Sequence, residues 1–197
     1  TYLQFFEGYL NDLLNDLDSN VRDLAKQVVL RGGKRIRPVL VFLCGSSNSD
    51  ATENLLKASS VIELVHVATL VHDDILDNAS IRRGNPTLHS LHSKHTSILL
   101  GDALFSFALE IATTFPDTTV CRIVAKATRD TCTGEIDQNF FVNDFEMSLD
   151  KYYSIIQNKT GALFSASCSI GAYLSGASSI VMDLVCDFGR SLGVNYQ

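Results

Sequence analysis

Apolar positions in this chain recur at i, i+3, i+4 and i+7, the spacing of one face of a helix, and nowhere alternate as a half-buried strand would. Tyr2 to Leu17 reads as a first amphipathic helix. Ser19 or Asn20 caps a second, running from Val21 to about Arg31 and stopped by Gly32-Gly33. Pro38 suits the first position of a third helix, which continues to about Gly45. A fourth begins after Ser49 or Asp50 and runs to Asp77, and Asn78 to Thr87 forms a loop. Ile98 to Phe115 is strongly apolar and ends at Pro116-Asp117, and the next helix spans Thr118 to about Phe141 with Glu135 and Gln138 on one face. Ser148 caps a segment to Asn158, Lys159-Thr160-Gly161 interrupts, and a small-residue helix follows to about Ser175. Ser178 or Ser179 opens the last helix. The expected class is all-α.

The charge-free stretch from Thr160 to Met182 invites a membrane reading, but Gly171, Gly176 and its many serines favour a buried core helix. With 197 residues, 46% hydrophobic and 19% charged, the chain fits one folded domain with a sizeable core. A net charge of −6 excludes a general nucleic-acid binder, so the basic residues must act locally. The five cysteines contain no Cys-x-x-Cys pair and read as thiols of a reducing, cytoplasmic compartment. No secretory signal pattern opens the chain.

Candidate chemistry concentrates between Glu63 and Gly84. Asp73 and Asp77 are four residues apart at the end of the fourth helix and therefore share a face. Asp74 joins the acidic cluster, although its direction differs by about a quarter turn. Carboxylates so close repel unless a cation neutralises them, and a set of oxygens without Cys suits Mg²⁺, which also takes substrate phosphates. The plain alternative is a solvated acidic helix end. His66 stands almost two turns earlier on the same stripe of an otherwise apolar helix, where a lone His is more often a hydrogen-bonded core residue. Arg82 and Arg83 follow the acids, and guanidinium forks match phosphate oxygens. Lys34, Arg35 and Arg37 beside Gly32-Gly33 form a plausible anion cradle at a helix start. His89, His92 and His95 recur every third residue, a spacing shared by a metal face and by a merely polar stripe, and the stripe is favoured for want of partners elsewhere. There is no P-loop, dinucleotide glycine signature or nucleophile elbow.

In order, Gly-Gly-Lys-Arg-x-Arg-Pro, His66, His-Asp-Asp-x-x-Asp and Arg-Arg-Gly-x-Pro-Thr, followed by Gly101-Asp102, Gly134-Glu135 with Gln138, Lys159-Thr160-Gly161 and Phe188-Gly189, resemble the trans-isoprenyl diphosphate synthases, or polyprenyl synthetases. The resemblance spans essentially the whole chain. It implies an antiparallel helix bundle around a central cavity and a head-to-tail condensation of isopentenyl diphosphate with an allylic diphosphate, in a homodimer without a membrane span. Asp73, Asp74 and Asp77 would hold Mg²⁺. Arg82 and Lys159 would stabilise the departing diphosphate, with the Thr160 hydroxyl and Gln197 carbonyl beside the allylic cation. Lys34, Arg37, His66 and Arg83 would hold the isopentenyl diphosphate. Small residues at Ala68 and Thr69 imply an open cavity floor and a long-chain product. The family carries a second aspartate-rich motif just after the position of Gln197, so residues 1–197 are expected to form one domain lacking its C-terminal part. Two rivals stand beside this reading. A class I terpene cyclase does not require the Lys34 and Arg37 cradle, and a non-catalytic subunit of a heteromeric synthase does not require an intact acidic cluster.

Overall fold

The computed structural model describes residues 1–45 and 52–197. The expected caps Ser49 and Asp50 lie outside these residues. Among the described residues there are ten α-helices: α1 (Tyr2–Leu13), α2 (Ser19–Val29), α3 (Ile36–Gly45), α4 (Thr52–Leu76), α5 (Leu88–Leu91), α6 (Lys94–Thr113), α7 (Thr119–Phe140), α8 (Leu149–Ile156), α9 (Ala162–Leu174) and α10 (Ser179–Tyr196). The fold is all-α apart from one hairpin of β1 (Ile81–Arg82) and β2 (Asn85–Pro86).

Helix starts follow the sequence where a side chain closes the first turn. Ser148 accepts from the Lys151 amide at α8, and Ser178 from the Val181 amide at α10. Other boundaries moved. The first helix ends at Leu13 and tightens into a 3₁₀ turn over Leu14–Asp16, and α2 starts at Ser19 behind Asp18. The expected loop after α4 contains the hairpin, because Arg83 and Gly84 both adopt positive φ (51° and 77°), the conformation that reverses two-residue hairpins. Lys159-Thr160-Gly161 does not break the helix. Gln157–Gly161 forms a π turn that joins α8 to α9.

Helix α4 runs through the middle of the bundle, against α1, α3, α6 and α9. Its side chains from Ala58 to Val65 are buried all round, so no solvent face exists along that stretch. Ile62, Leu64 and Val65 are fully buried, each contributing about 1.5–3 kcal/mol relative to exposure. Helix α9 is buried from Ala162 to Ala172 and packs on α3, α7 and α10, as a core helix should. It ends at Leu174, and Gly176 at φ 75° turns the chain into α10, so Thr160 to Met182 is not one span. Helices α4 and α6 are long and apolar enough to cross a membrane, but 67% and 44% of their apolar windows are buried inside the bundle.

Candidate functional site

One end of α4 opens on a cavity of about 400 Å³ that collects residues from six stretches of sequence. Asp73 and Asp77, one turn apart, supply an acidic wall, and His66, Thr69 and Leu70 continue it down the helix. The α2–α3 loop contributes Lys34, the first turn of α3 contributes Arg37, and the hairpin contributes Arg82 and Arg83. Lys159 and Thr160 enter from the π turn, Thr131 and Glu135 from α7, and Tyr196 and Gln197 from the end of α10.

The π turn is what brings Lys159 inward. Its backbone lies against Gly134 of α7, where any Cβ would collide with the Lys159 nitrogen. A widened turn of this kind shifts the following side chains out of α-helical register, and such turns gather at functional sites. Lys159 Nζ pairs with Glu135 Oε1 at 2.7 Å, and the Thr160 hydroxyl donates to Gln197 Oε1. The hairpin is held by two arginines, Arg83 donating to the Gly32 carbonyl at 2.8 Å and Arg31 to the Pro86 carbonyl at 2.6 Å.

Electrostatically the cavity is divided. At the acidic wall, burial and then the neighbouring Glu135 push the Asp73 carboxyl up to about 6, against the pull of Lys159 and Arg82. Across from it, burial lowers the Arg37 guanidinium to about 10. Its plane stacks on Phe164, 4.7 Å from the ring centre, and its Nε is buried with no hydrogen-bond partner. Burial, followed by the charges of Arg37, Arg83, Arg82 and Arg35, holds the His66 imidazole well below the usual histidine range, so it is neutral. Lys34 Nζ sits 5.6 Å over the Tyr196 ring.

Two expectations need correction. Asp74 does not join Asp73 and Asp77 on the wall. It is 7% exposed and pairs with Arg82, Oδ1 to Nε 2.6 Å, because one residue's rotation about α4 turns it toward the hairpin. Ala68 likewise points into the apolar core and is fully buried there, while Thr69 is the neighbour that lines the cavity, its hydroxyl donating to the His66 carbonyl at 2.7 Å. Among the described residues no three His, Cys, Asp or Glu groups gather as a closed metal cage. Two adjacent carboxylates, one of them pushed toward protonation by burial and acids, still fit a hard cation that keeps several waters and takes phosphate oxygens.

The histidine stripe is not a metal face. His89 meets the Ala79 carbonyl at 2.7 Å, His92 meets Gln27 at 3.2 Å, and His95 is exposed. All five cysteines are free. The sequence did not assign Thr131, Glu135, Tyr196 or Glu63 to the site, and it set Arg35 in the anion cradle, whereas the Arg35 guanidinium is taken up by Glu7 and Glu63. Glu135 was visible as an acid in a helix face beside Gly134, and Glu63 as an acid inside an apolar run.

The cavity of this all-α protein pairs an acidic helix end with a cluster of cations, a charge distribution that suits a polyanion together with a hard cation. The match to known proteins narrows this: the family model for polyprenyl synthetase covers residues 18–197, and the chain belongs to that family. It is 33% identical over 186 residues to the short chain isoprenyl diphosphate synthase of Methanocaldococcus jannaschii, covering 92% of this chain and 57% of that protein. To heptaprenyl diphosphate synthase component 2 of Geobacillus stearothermophilus it is 34% identical over 175 residues, covering 89% of this chain and 55% of the relative. The crystal structure of polyprenyl synthase from Caulobacter crescentus CB15, complexed with calcium and isoprenyl diphosphate, superposes with a TM-score of 0.89 at 29% identity, over 98% of this chain and 58% of the other. The chain thus spans little more than half the length of these proteins.

Proposed function

We propose that this chain forms the substrate-binding part of a prenyltransferase that condenses isopentenyl diphosphate with an allylic diphosphate into a polyprenyl diphosphate. The observation that carries this reading is the division of one cavity into an acidic wall and a cationic side, with Arg37 Nε buried and unpaired on the cationic side. A buried donor without a partner costs free energy that a bound oxyanion would recover.

Asp73 and Asp77 would hold Mg²⁺, which supplies positive charge to a departing diphosphate. Lys159 and Arg82, both at the acidic wall, add donors for the same developing charge. The second diphosphate stays intact during the turn and needs only cations, and Lys34, Arg37, Arg83 and neutral His66 provide donors for it. An allylic cation needs a wall free of strong nucleophiles. Leu70 and Leu163 supply apolar surface, and the Thr160 hydroxyl, already committed to Gln197, offers its oxygen as a dipole. Residues 1–197 act in this reading as one domain of a longer cytoplasmic enzyme. Its partner is a second copy of itself, with a heteromeric assembly as the alternative that a relative named "component 2" suggests.

The test is incubation of the full-length gene product with labelled isopentenyl diphosphate and geranyl diphosphate. Labelled prenyl product with Mg²⁺ and none in excess chelator is expected. Product formation in chelator, or hydrocarbon from the allylic substrate alone, would refute the reading, the latter in favour of a cyclase.

A further inference from the structure

Lys34 and Arg35 at the end of the α2–α3 loop and Arg37 in the first turn of α3 stand together, yet they do not share a task. All three border the cavity, and Arg37 has a free buried donor. Arg35, between Lys34 and Arg37, is engaged elsewhere. Its side chain is only 3% exposed, and all four hydrogen bonds of its guanidinium go to protein acceptors. Nε and Nη2 grip both oxygens of Glu7 on α1, at 2.7 and 3.1 Å. Nη1 donates to Glu63 of α4 at 2.6 Å, and Nη2 also reaches the Val29 carbonyl at the end of α2, at 2.8 Å. The backbone at Arg35 has φ 47°, a left-handed conformation that L side chains rarely adopt and that persists only where the surroundings enforce it.

We propose that Arg35 is a positioning residue for the cationic side of the cavity: its guanidinium, clamped by Glu7 and Glu63, fixes the left-handed turn that aims Lys34 and Arg37 at the isopentenyl diphosphate. The proposal rests on the function proposed above. Without the clamp, nothing compels a non-glycine residue to keep φ 47°, and relaxation of that one dihedral would reorient Lys34 on one side and Arg37 on the other. Glu63 belongs to the helix that carries Asp73, so the clamp also ties the cationic loop to the acidic wall. Lys cannot replace Arg35, because a point ammonium lacks the planar fork that bridges two carboxylates.

The experiment is calorimetric titration of the full-length gene product with isopentenyl diphosphate in EDTA, which reports on the cationic side without metal, and with geranyl diphosphate in Mg²⁺. Arg35→Lys is expected to weaken isopentenyl diphosphate binding at least tenfold and to change geranyl diphosphate binding less than twofold. A structural ion pair with no positioning role would weaken both equally or neither. Lys34→Ala provides the second readout: it should cost affinity in the wild-type background and clearly less in the Arg35→Lys background, because a misaimed Lys34 has less to lose. If Arg35→Lys does not fold, Glu63→Gln, which keeps an acceptor oxygen but not the charge, carries the same expectation. Binding by the wild-type chain that these variants leave untouched, or full additivity with Lys34→Ala, overturns the proposal alone. Failure of the wild-type chain to bind isopentenyl diphosphate at all overturns the reading of the cavity and the proposal with it.

Discussion

Replacing Arg37 with methionine separates binding from stability, because the two should move in opposite directions. Methionine keeps the packing against Phe164 and removes the charge. Without a bound anion that charge is a burden: burial lowers the guanidinium well below the usual arginine range, to about 10, and its Nε has no partner. A tenfold change in proton affinity is about 1.4 kcal/mol, so full burial would cost about 3 kcal/mol. Access of cavity water reduces that to about 1–2 kcal/mol. The folded form binds this proton less tightly than the unfolded one, so the cost is present while the group is charged, below about pH 10, and stability rises as pH climbs from there toward the ordinary arginine range. Arg37→Met should therefore raise the melting midpoint of the ligand-free chain at neutral pH by about 2–8 °C for a domain of this size. Loss of a charged hydrogen bond to the ligand, about 1.5–3 kcal/mol, should weaken isopentenyl diphosphate binding roughly 10- to 100-fold. Scanning calorimetry and titration in EDTA measure both quantities on the same sample. A lower midpoint with unchanged affinity would show that Arg37 is a structural cation and that the unpaired Nε does not await a ligand.

Asp77→Asn should lower turnover of the full-length enzyme by about two orders of magnitude or more without lowering its melting midpoint, since it removes a cation-holding oxygen from an exposed position; near-normal turnover would place Asp77 outside the chemistry. Gly134→Ala should disturb the π turn by driving a methyl group into Lys159, cutting turnover at least tenfold while circular dichroism stays helical; an active Gly134→Ala enzyme would show that the turn tolerates displacement. Thr69→Phe should shorten the prenyl product, read by chromatography after dephosphorylation, because Thr69 lines the cavity. Ala68→Phe should instead cost about 1–3 kcal/mol of stability by overpacking the core. A shorter product from a stable Ala68→Phe enzyme would reverse these two assignments.

The helices were legible because their apolar stripes are long and their caps chemical: Ser148 and Ser178 close the turns their position in the sequence implies. The hairpin was not, since two-residue strands are too short to show alternation and the reversal depends on Arg83 adopting a φ favoured by glycine. The π turn left no signature either, because one extra residue in a turn changes the register and not the composition. In the site, motifs named the residues but not their directions. Nothing in Lys34-Arg35-Ile36-Arg37 says that the middle cation, bordering the same cavity, commits its guanidinium to protein acceptors, which follows only from the carboxylates that Glu7 and Glu63 bring from two other helices.

The acids at the end of α4 show why direction decides function here. At about 100° per residue, Asp73 and Asp77 return to one face while Asp74 lies well off it. Repulsion among three clustered carboxylates is thereby relieved without a third ligand, because Asp74 meets Arg82 at 2.6 Å. The pairing does more than neutralise Asp74. It ties down the first strand of the hairpin, and the turn that follows carries Arg83, whose guanidinium reaches the Gly32 carbonyl in the loop that bears Lys34 and leads into Arg37. A single turn of helix thus supplies the acidic wall on one face and the anchor of the cationic side on another. Removing Asp74 would therefore release Arg82 at the acidic wall and loosen the hairpin that brings Arg83 to the cationic side.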